Sequence, residues 1–158
     1  MNTAEKFQVP ALGEVWPGEG GIYAGVMPAR GDAPAYRMIL GAELGRFEWG
    51  PYAEEAPVTG LIDGFTNTLV LIESDDEYPA AKAAYEHEAD GHNDFYLPAV
   101  AELYEIWLNL NGKNDGWVWS SSQRSANYAF HMHFGDGTQS YGVKDGELRV
   151  RPVRRLPI

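Results

Sequence analysis

The sequence predicts an α+β domain, and three observations carry that prediction. Pro79 and Pro98 stand where two amphipathic stretches begin, the place in a helix where a missing N–H costs nothing. From Trp117 to Ile158 the residues alternate in twos between Gly- and Asp-containing turns, the period of antiparallel strands. Ahead of both lies a Gly- and Pro-rich stretch with two short apolar runs. Helices set between two groups of strands imply amphipathic helices packed on a sheet.

Taken in order, Met1 to Gly60 contains "GIYAGVMP" and "AYRMILGA" on either side of the turn-forming "ARGDAP", which predicts a hairpin. "YPAAKAAYEHEADGH" predicts a helix from Pro79 until Asp90-Gly91 stops it, and "LPAVAELYEIWLNLNG" a second from Pro98 until Asn111-Gly112. In the second helix Val100, Leu103, Tyr104, Trp107 and Leu108 recur at spacings of three and four, so one face is apolar and needs cover. "WVWSS", "YAFHMHF", "TQSYGV" and "LRVRPV" predict strands joined by turns such as "GDGT" and "KDGE". No long linker, repeat or low-complexity tract intervenes, so residues 1–158 read as one domain. Strands and loops fill 1–60, a helical part 61–115, and antiparallel strands 116–158.

Composition narrows the functions available. A chain of 158 residues can bury a core without staples, and 44% hydrophobic with 13% aromatic content fits a folded globule. No run of roughly 18 apolar residues exists to span a bilayer, which argues against membrane insertion. The start lacks the basic and apolar regions of a signal peptide. Zero cysteines remove disulfides, thiolate nucleophiles and cysteine-based zinc sites together. A net charge of −11 repels nucleic acid. Near the end, Lys144, Arg149, Arg151, Arg154 and Arg155 face only Asp145 and Glu147. Such a segment either binds an anion or pairs with the acidic body, and charge patterning favours the second.

The stretch "GWVWSSSQRSANYAFHMHF" holds most of the candidate chemistry. On a strand, Phe130, Met132 and Phe134 share one face and Ala129, His131 and His133 the other, so the histidines are expected to project away from the core. A His-x-His pair can ligate zinc only with a third protein ligand, and neither His87 nor His92 stands at a spacing that supplies one. A metal-dependent enzyme built on His131 and His133 is therefore a minor reading, and no cofactor is called for. "SSS" lacks the elbow of a serine nucleophile, and strand hydroxyls ordinarily satisfy backbone groups. Glu86 with Glu88, and "ESDDE" from Glu73 to Glu77, read as a solvated helix face and a loop before a helix. The oxygen-rich "NLNGKND" and "GDG" read as turns rather than calcium loops.

"ADGHNDFYLPAVAELYEIW", followed by "GWVWSSSQRSANYAFHMHFGDGTQSYGVKDGELRVRPVRRL", resembles the Lcl C-terminal-like domain, a family of unknown function found in bacterial surface proteins and prophages. The resemblance rests on Leu97-Pro98, Glu102-Leu103, Trp119-Ser120-Ser121, the aromatic strand Tyr128 to Phe134, Lys144, and the closing Val150-Arg151-Pro152-Val153-Arg154. "WPGEGGIYAGVMP" resembles prophage members near tail genes, so the likeness covers most of the chain and is thinnest over Glu43 to Pro57. It implies a C-type-lectin-like fold, with two helices on a twisted antiparallel sheet and the N- and C-terminal strands paired, "IYAGVM" with "LRVRPV". The enzymes of that fold use cysteines, which this chain lacks.

The resemblance therefore implies display rather than catalysis: a phage or prophage tail-associated receptor-binding protein that recognises a host-surface glycan or protein. Its expected location is the virion tail. The expected ligand-binding residues are Arg124, Asn127, Tyr128, His131, His133, Gln139, Tyr141 and Lys144, a mixture of rigid aromatic area and adaptable hydrogen-bonding groups. Several copies, as in a homo-oligomer or on a virion, would raise affinity. The alternative is a structural tail or assembly component bound to other phage tail proteins. Trp117, Trp119 and Tyr141 also admit a bland reading, as core aromatics under a helix-covered sheet.

Overall fold

A computed structural model describes residues 8–58, 60–111 and 116–158. Among them the chain is α+β, with nine strands in two sheets and three helices. The first sheet has the order β1-β2-β3-β9, from β1 (Val15–Trp16), β2 (Gly21–Met27), β3 (Tyr36–Leu40) and β9 (Val153–Pro157), all antiparallel. The second has the order β4-β8-β5-β6-β7, from β4 (Arg46–Glu48), β8 (Glu147–Arg149), β5 (Trp117–Gln123), β6 (Tyr128–His133) and β7 (Gln139–Val143), with only β5 and β8 parallel. The helices are α1 (Gly64–Glu73), α2 (Pro79–Glu86) and α3 (Val100–Leu110). No described helix is long and apolar enough to cross a membrane.

The predicted hairpin is β2 and β3, closed by a bridge between Arg30 and Ala33. Its register shifts between Tyr23 and Val26, where Gly25 takes a φ of 93°. A Cβ there would lie 2.0 Å from Asn109 Nδ2, which donates to the Ala24 carbonyl at 2.9 Å. Only glycine lets α3 approach the strand this closely.

Several expectations need correction. "IYAGVM" does not pair with "LRVRPV": β3 lies between them and takes β9, with Ile39 opposite Arg154. "LRVRPV" is also not one strand. Pro152 has no N–H to donate, and the chain crosses there from β8 in one sheet to β9 in the other. The helix opened by Pro79 ends at Glu86, four residues before Asp90, and Asp90-Gly91 instead turns a small bridged loop between Ala89 and His92. A third helix, α1, was not expected. Asp63 caps it, accepting from Thr66 N at 3.1 Å and Thr66 Oγ1 at 2.8 Å.

The second sheet is covered on both faces, which gives two cores. In the first, Leu103, Ile106 and Leu110 of α3 pack with Met38 and Leu40 of β3 and with Val118, Met132 and Phe134. In the second, Trp49, Leu71, Tyr78, Leu97, Trp119 and Ala129 lie under α1 and α2. The buried stripe of α3 is thus Glu102, Leu103, Ile106 and Leu110, whereas Tyr104 and Leu108 of the expected stripe are exposed.

Glu102 joins these layers. Fully buried, its Oε1 accepts from Gly64 N at 2.9 Å and Ala99 N at 3.1 Å, tying the starts of α1 and α3 together. Its Oε2 accepts from the hydroxyls of Tyr36 and Tyr96 and lies 3.4 Å from Arg155, tying both helices to the first sheet. Burial raises its pKa, against the lowering pull of those donors. The basic final segment does pair with the acidic body. Arg154 bonds Glu19 at 2.6 Å and Asp94 at 2.8 Å, Arg155 bonds Asp63 at 3.2 Å, and Arg149 bonds Glu43 at 3.0 Å.

Candidate functional site

Strand register decides which of the expected binding residues share a face. β6 and β7 pair with Tyr128 opposite Val143, Phe130 opposite Tyr141, His131 opposite Ser140 and Met132 opposite Gln139. Directly opposed residues of an antiparallel pair lie on one side of a sheet. Tyr128, Phe130, Tyr141 and Gln139 therefore face the α3 side, while His131 and His133 face the other.

On the α3 side, Arg124, Phe130, Gln139, Ser140 and Tyr141 line a groove of about 390 Å³ whose remaining wall is Leu61 and Val100. The tight β5–β6 turn sets Arg124, its N–H and that of Ser125 both donating to the Tyr128 carbonyl, at 2.9 and 3.1 Å. The guanidinium lies 3.9 Å from the Tyr141 ring centroid and 5.9 Å from that of Tyr128, and the two rings meet edge-on at 5.1 Å. No ion pair to Arg124 forms among the described residues. It is thus held by aromatic faces with its outer N–H groups available. Tyr141 is 44% exposed. The core reading of the aromatics holds for Trp119, which is fully buried, and not for Tyr141.

The other expected residues lie elsewhere. Asn127 is half-buried in the turn and uses its carbonyl to accept from Lys144 N at 3.1 Å. His131 is not outward-facing in the sense expected: it is buried at 9% exposure, with its ring edge-on to Trp117 at 4.6 Å and Trp119 at 5.7 Å and lying against the backbone of Tyr141 and Gly142. The expectation assumed one core, whereas this sheet is covered on both faces. His133 is half-buried beside Trp117, 3.4 Å from Asp136. Phe130, expected in the core, is a half-buried groove wall.

Lys144, expected on the surface, is fully buried. Its Nζ donates to the Glu54 carbonyl at 2.7 Å and to Gln123 Oε1 at 2.6 Å, 5.0 Å from the Trp49 ring centroid. Burial pushes its amine down to about 8, with the Glu55 and Glu54 carboxylates pulling the other way. The residues around Lys144 form a clasp on the loop from Pro51 to Pro57. Gln123 Oε1 accepts from Ala56 N, and its Nε2 donates to the carbonyls of Ala56 and Val58. Trp49 N and Gly50 N donate to the Lys144 carbonyl.

Burial lowers the pKa of His131, and likewise of His87. A histidine held neutral in the native state must gain its proton at a cost, so its contribution is unchanged above the unfolded pKa near 6.5 and is lost as pH falls below it. Melting temperature is expected to fall from about pH 6.5 downward, and the fall should be shallower in a His131→Phe variant. An unchanged slope in that variant would show that His131 does not titrate between the two states.

The serines are structural. Ser120, Ser121 and Ser122 are fully buried: Ser120 Oγ donates to the Phe130 carbonyl at 2.7 Å, Ser121 Oγ accepts from Asn67, and Ser122 Oγ accepts from Val100 N. Among the described residues no three His, Asp or Glu side chains converge as a metal-binding group. His92 bonds the Gly18 carbonyl, and His87 meets the Phe95 ring edge-on at 4.7 Å. The oxygen-rich "NLNGKND" extends into residues 112–115, outside the described residues; Asn111 is the left-handed C-cap of α3.

Sequence reasoning missed the apolar half of the groove. Leu61 precedes α1, which the sequence does not predict, and Val100 is expected on the covered helix face. It also missed a cleft of about 480 Å³ between α1 and α2, where "ESDDE" forms part of the rim. No protein-family model matches the chain, and no curated protein matches it significantly.

Proposed function

We propose that this chain is a non-enzymatic ligand-binding module of the C-type-lectin-like kind, which recognises a host-surface glycan or protein as part of a phage or prophage tail. The observation that carries the binding reading is the groove in which Arg124 is stacked on Tyr141, beside Phe130, Gln139, Leu61 and Val100. Aromatic faces suit the apolar face of a sugar ring or a partner side chain, and the guanidinium and amide supply directional hydrogen bonds. Phe130, Gln139 and Tyr141 sit on paired strands and Arg124 on the tight turn between two of them, so little ordering entropy is lost on binding. The tail location and the lectin-like ancestry rest on the resemblance in the sequence.

Arg124→Ala and Tyr141→Ala are each expected to weaken binding to host cells or to a glycan array by about tenfold or more, as central aromatic and arginine contacts do. Both should change stability by only about 0.5 kcal/mol, since the side chains are exposed. Normal binding by both variants would remove the groove from the interface. One observation favours the structural alternative: Tyr104 and Leu108 expose apolar area on α3, the helix whose Val100 lines the groove, as an interface with another tail protein would. Variants that bind host cells normally but fail to enter virions would decide for it.

A further inference from the structure

We propose that the cleft between α1 and α2 is a second ligand site, which takes an alkylammonium group: a primary amine on an aliphatic stem. Leu71, Ile72 and Pro79 line the cleft with apolar groups, beside the exposed ring of Tyr85. The rim carries Asp75, Asp76, Glu77 and Glu86 against a single ammonium, that of Lys82. None of these charges is in an ion pair among the described residues.

Three features point to an organic cation. Asp75, Asp76 and Glu77 follow the C-terminal end of α1, whose last turn holds no basic residue. The negative end of a helix favours a cation, and here the chain places carboxylates and supplies no cation of its own from that helix. Second, Tyr78 is 3% exposed and its hydroxyl makes no hydrogen bond of normal geometry, although it lies beside the Ser74 hydroxyl and near the carboxylates of Asp76 and Glu54, of which Ser74 and Asp76 line the cleft. A buried phenol oxygen left in this state can accept from a ligand ammonium. Third, the carboxylates do not converge as a metal-binding group, so the negative potential is spread over a cleft with an apolar lining rather than focused on a point ion. Methylene groups against that lining and an ammonium at the rim match both halves.

The same chemistry comes from a free polyamine or from a protein lysine, and cadaverine and Nα-acetyl-lysine amide represent the two. Isothermal titration calorimetry on the whole chain is expected to show one-to-one binding of at least one of them at millimolar affinity or tighter, and the tighter binder names the source. Asp75→Asn with Asp76→Asn should weaken that binding by about tenfold. Tyr78→Phe should weaken it by about threefold. Lys82→Gln should strengthen it by removing the competing ammonium. Melting curves confirm that each variant is folded; should Tyr78→Phe not fold, the exposed aspartate and lysine variants decide alone. No binding of either amine, equal binding of pentanol, or equal heats from calcium chloride would each overturn the proposal, the last two by reducing the cleft to a greasy patch or to bulk charge. The groove at Arg124 is not involved, so Arg124→Ala should leave amine binding unchanged.

Discussion

Glu102→Ala is expected to cost about 3–5 kcal/mol, the range for removing one partner of a buried charge network. Against a total stability of roughly 5–15 kcal/mol, that leaves the domain marginal or unfolded. The reason is the number of donors orphaned at once: Gly64 N, Ala99 N, and the hydroxyls of Tyr36 and Tyr96 all point at this carboxylate, with Arg155 behind them. Two of these donors open helices and cannot turn elsewhere without moving the backbone. Glu102→Gln, which keeps the shape and one carbonyl oxygen, should cost much less. A second measurement isolates the mechanism. Tyr36→Phe should destabilise the natural chain but cost less in the Glu102→Ala background, where its hydroxyl no longer has an acceptor. Thermal or urea unfolding reads all four, and a Glu102→Ala variant as stable as the parent would show that the network contributes nothing.

Trp119→Ala is expected to be about as damaging, at roughly 3–5 kcal/mol for a fully buried tryptophan. The indole fills the second core, donates through Nε1 to the Phe47 carbonyl at 2.8 Å, and covers one side of His131. Truncation would leave a cavity, an unpaired carbonyl of β4 and a histidine with one aromatic wall gone. The melting order should be Trp119→Ala lowest, His131→Ala next and Tyr141→Ala near the parent. An order in which His131→Ala melts with Tyr141→Ala would mean that the histidine face is open to solvent.

The sequence missed the short β1 and β4 and ran β8 and β9 together, but it showed β2, β3, β5, β6, β7 and two of the helices, because apolar spacing reports burial when burial is apolar. α1 escaped for the same reason. Its buried positions are Gly64, Asn67, Thr68 and Leu71, and the two polar ones are satisfied internally, Asn67 by the Gly60 carbonyl and Ser121, Thr68 by the Gly64 carbonyl. A stripe of this composition leaves no hydrophobic period to detect. The candidate site was half legible. Arg124, Gln139 and Tyr141 do meet in one groove, since residue type marked them. His131 and Lys144 were misplaced because which face is covered depends on strand order and on a loop from elsewhere in the chain, and neither is written in local alternation.

The clasp on the loop from Pro51 to Pro57 holds that loop by its main chain. Gln123 and Lys144 grip the peptide groups of Glu54, Ala56 and Val58, while the side chains of Tyr52, Ala53, Glu54, Glu55 and Pro57 are exposed. Peptide groups are the same whatever residue carries them, so mutation can rewrite Tyr52, Ala53 and Pro57 while the anchor stays fastened, whereas the carboxylates of Glu54 and Glu55 also support the charge of Lys144. Ala53, at a φ of 67°, is the one position of the five where the backbone itself restricts the choice, toward glycine or asparagine. At Tyr52 and Pro57 the surface can thereby drift under selection without the fold registering the change.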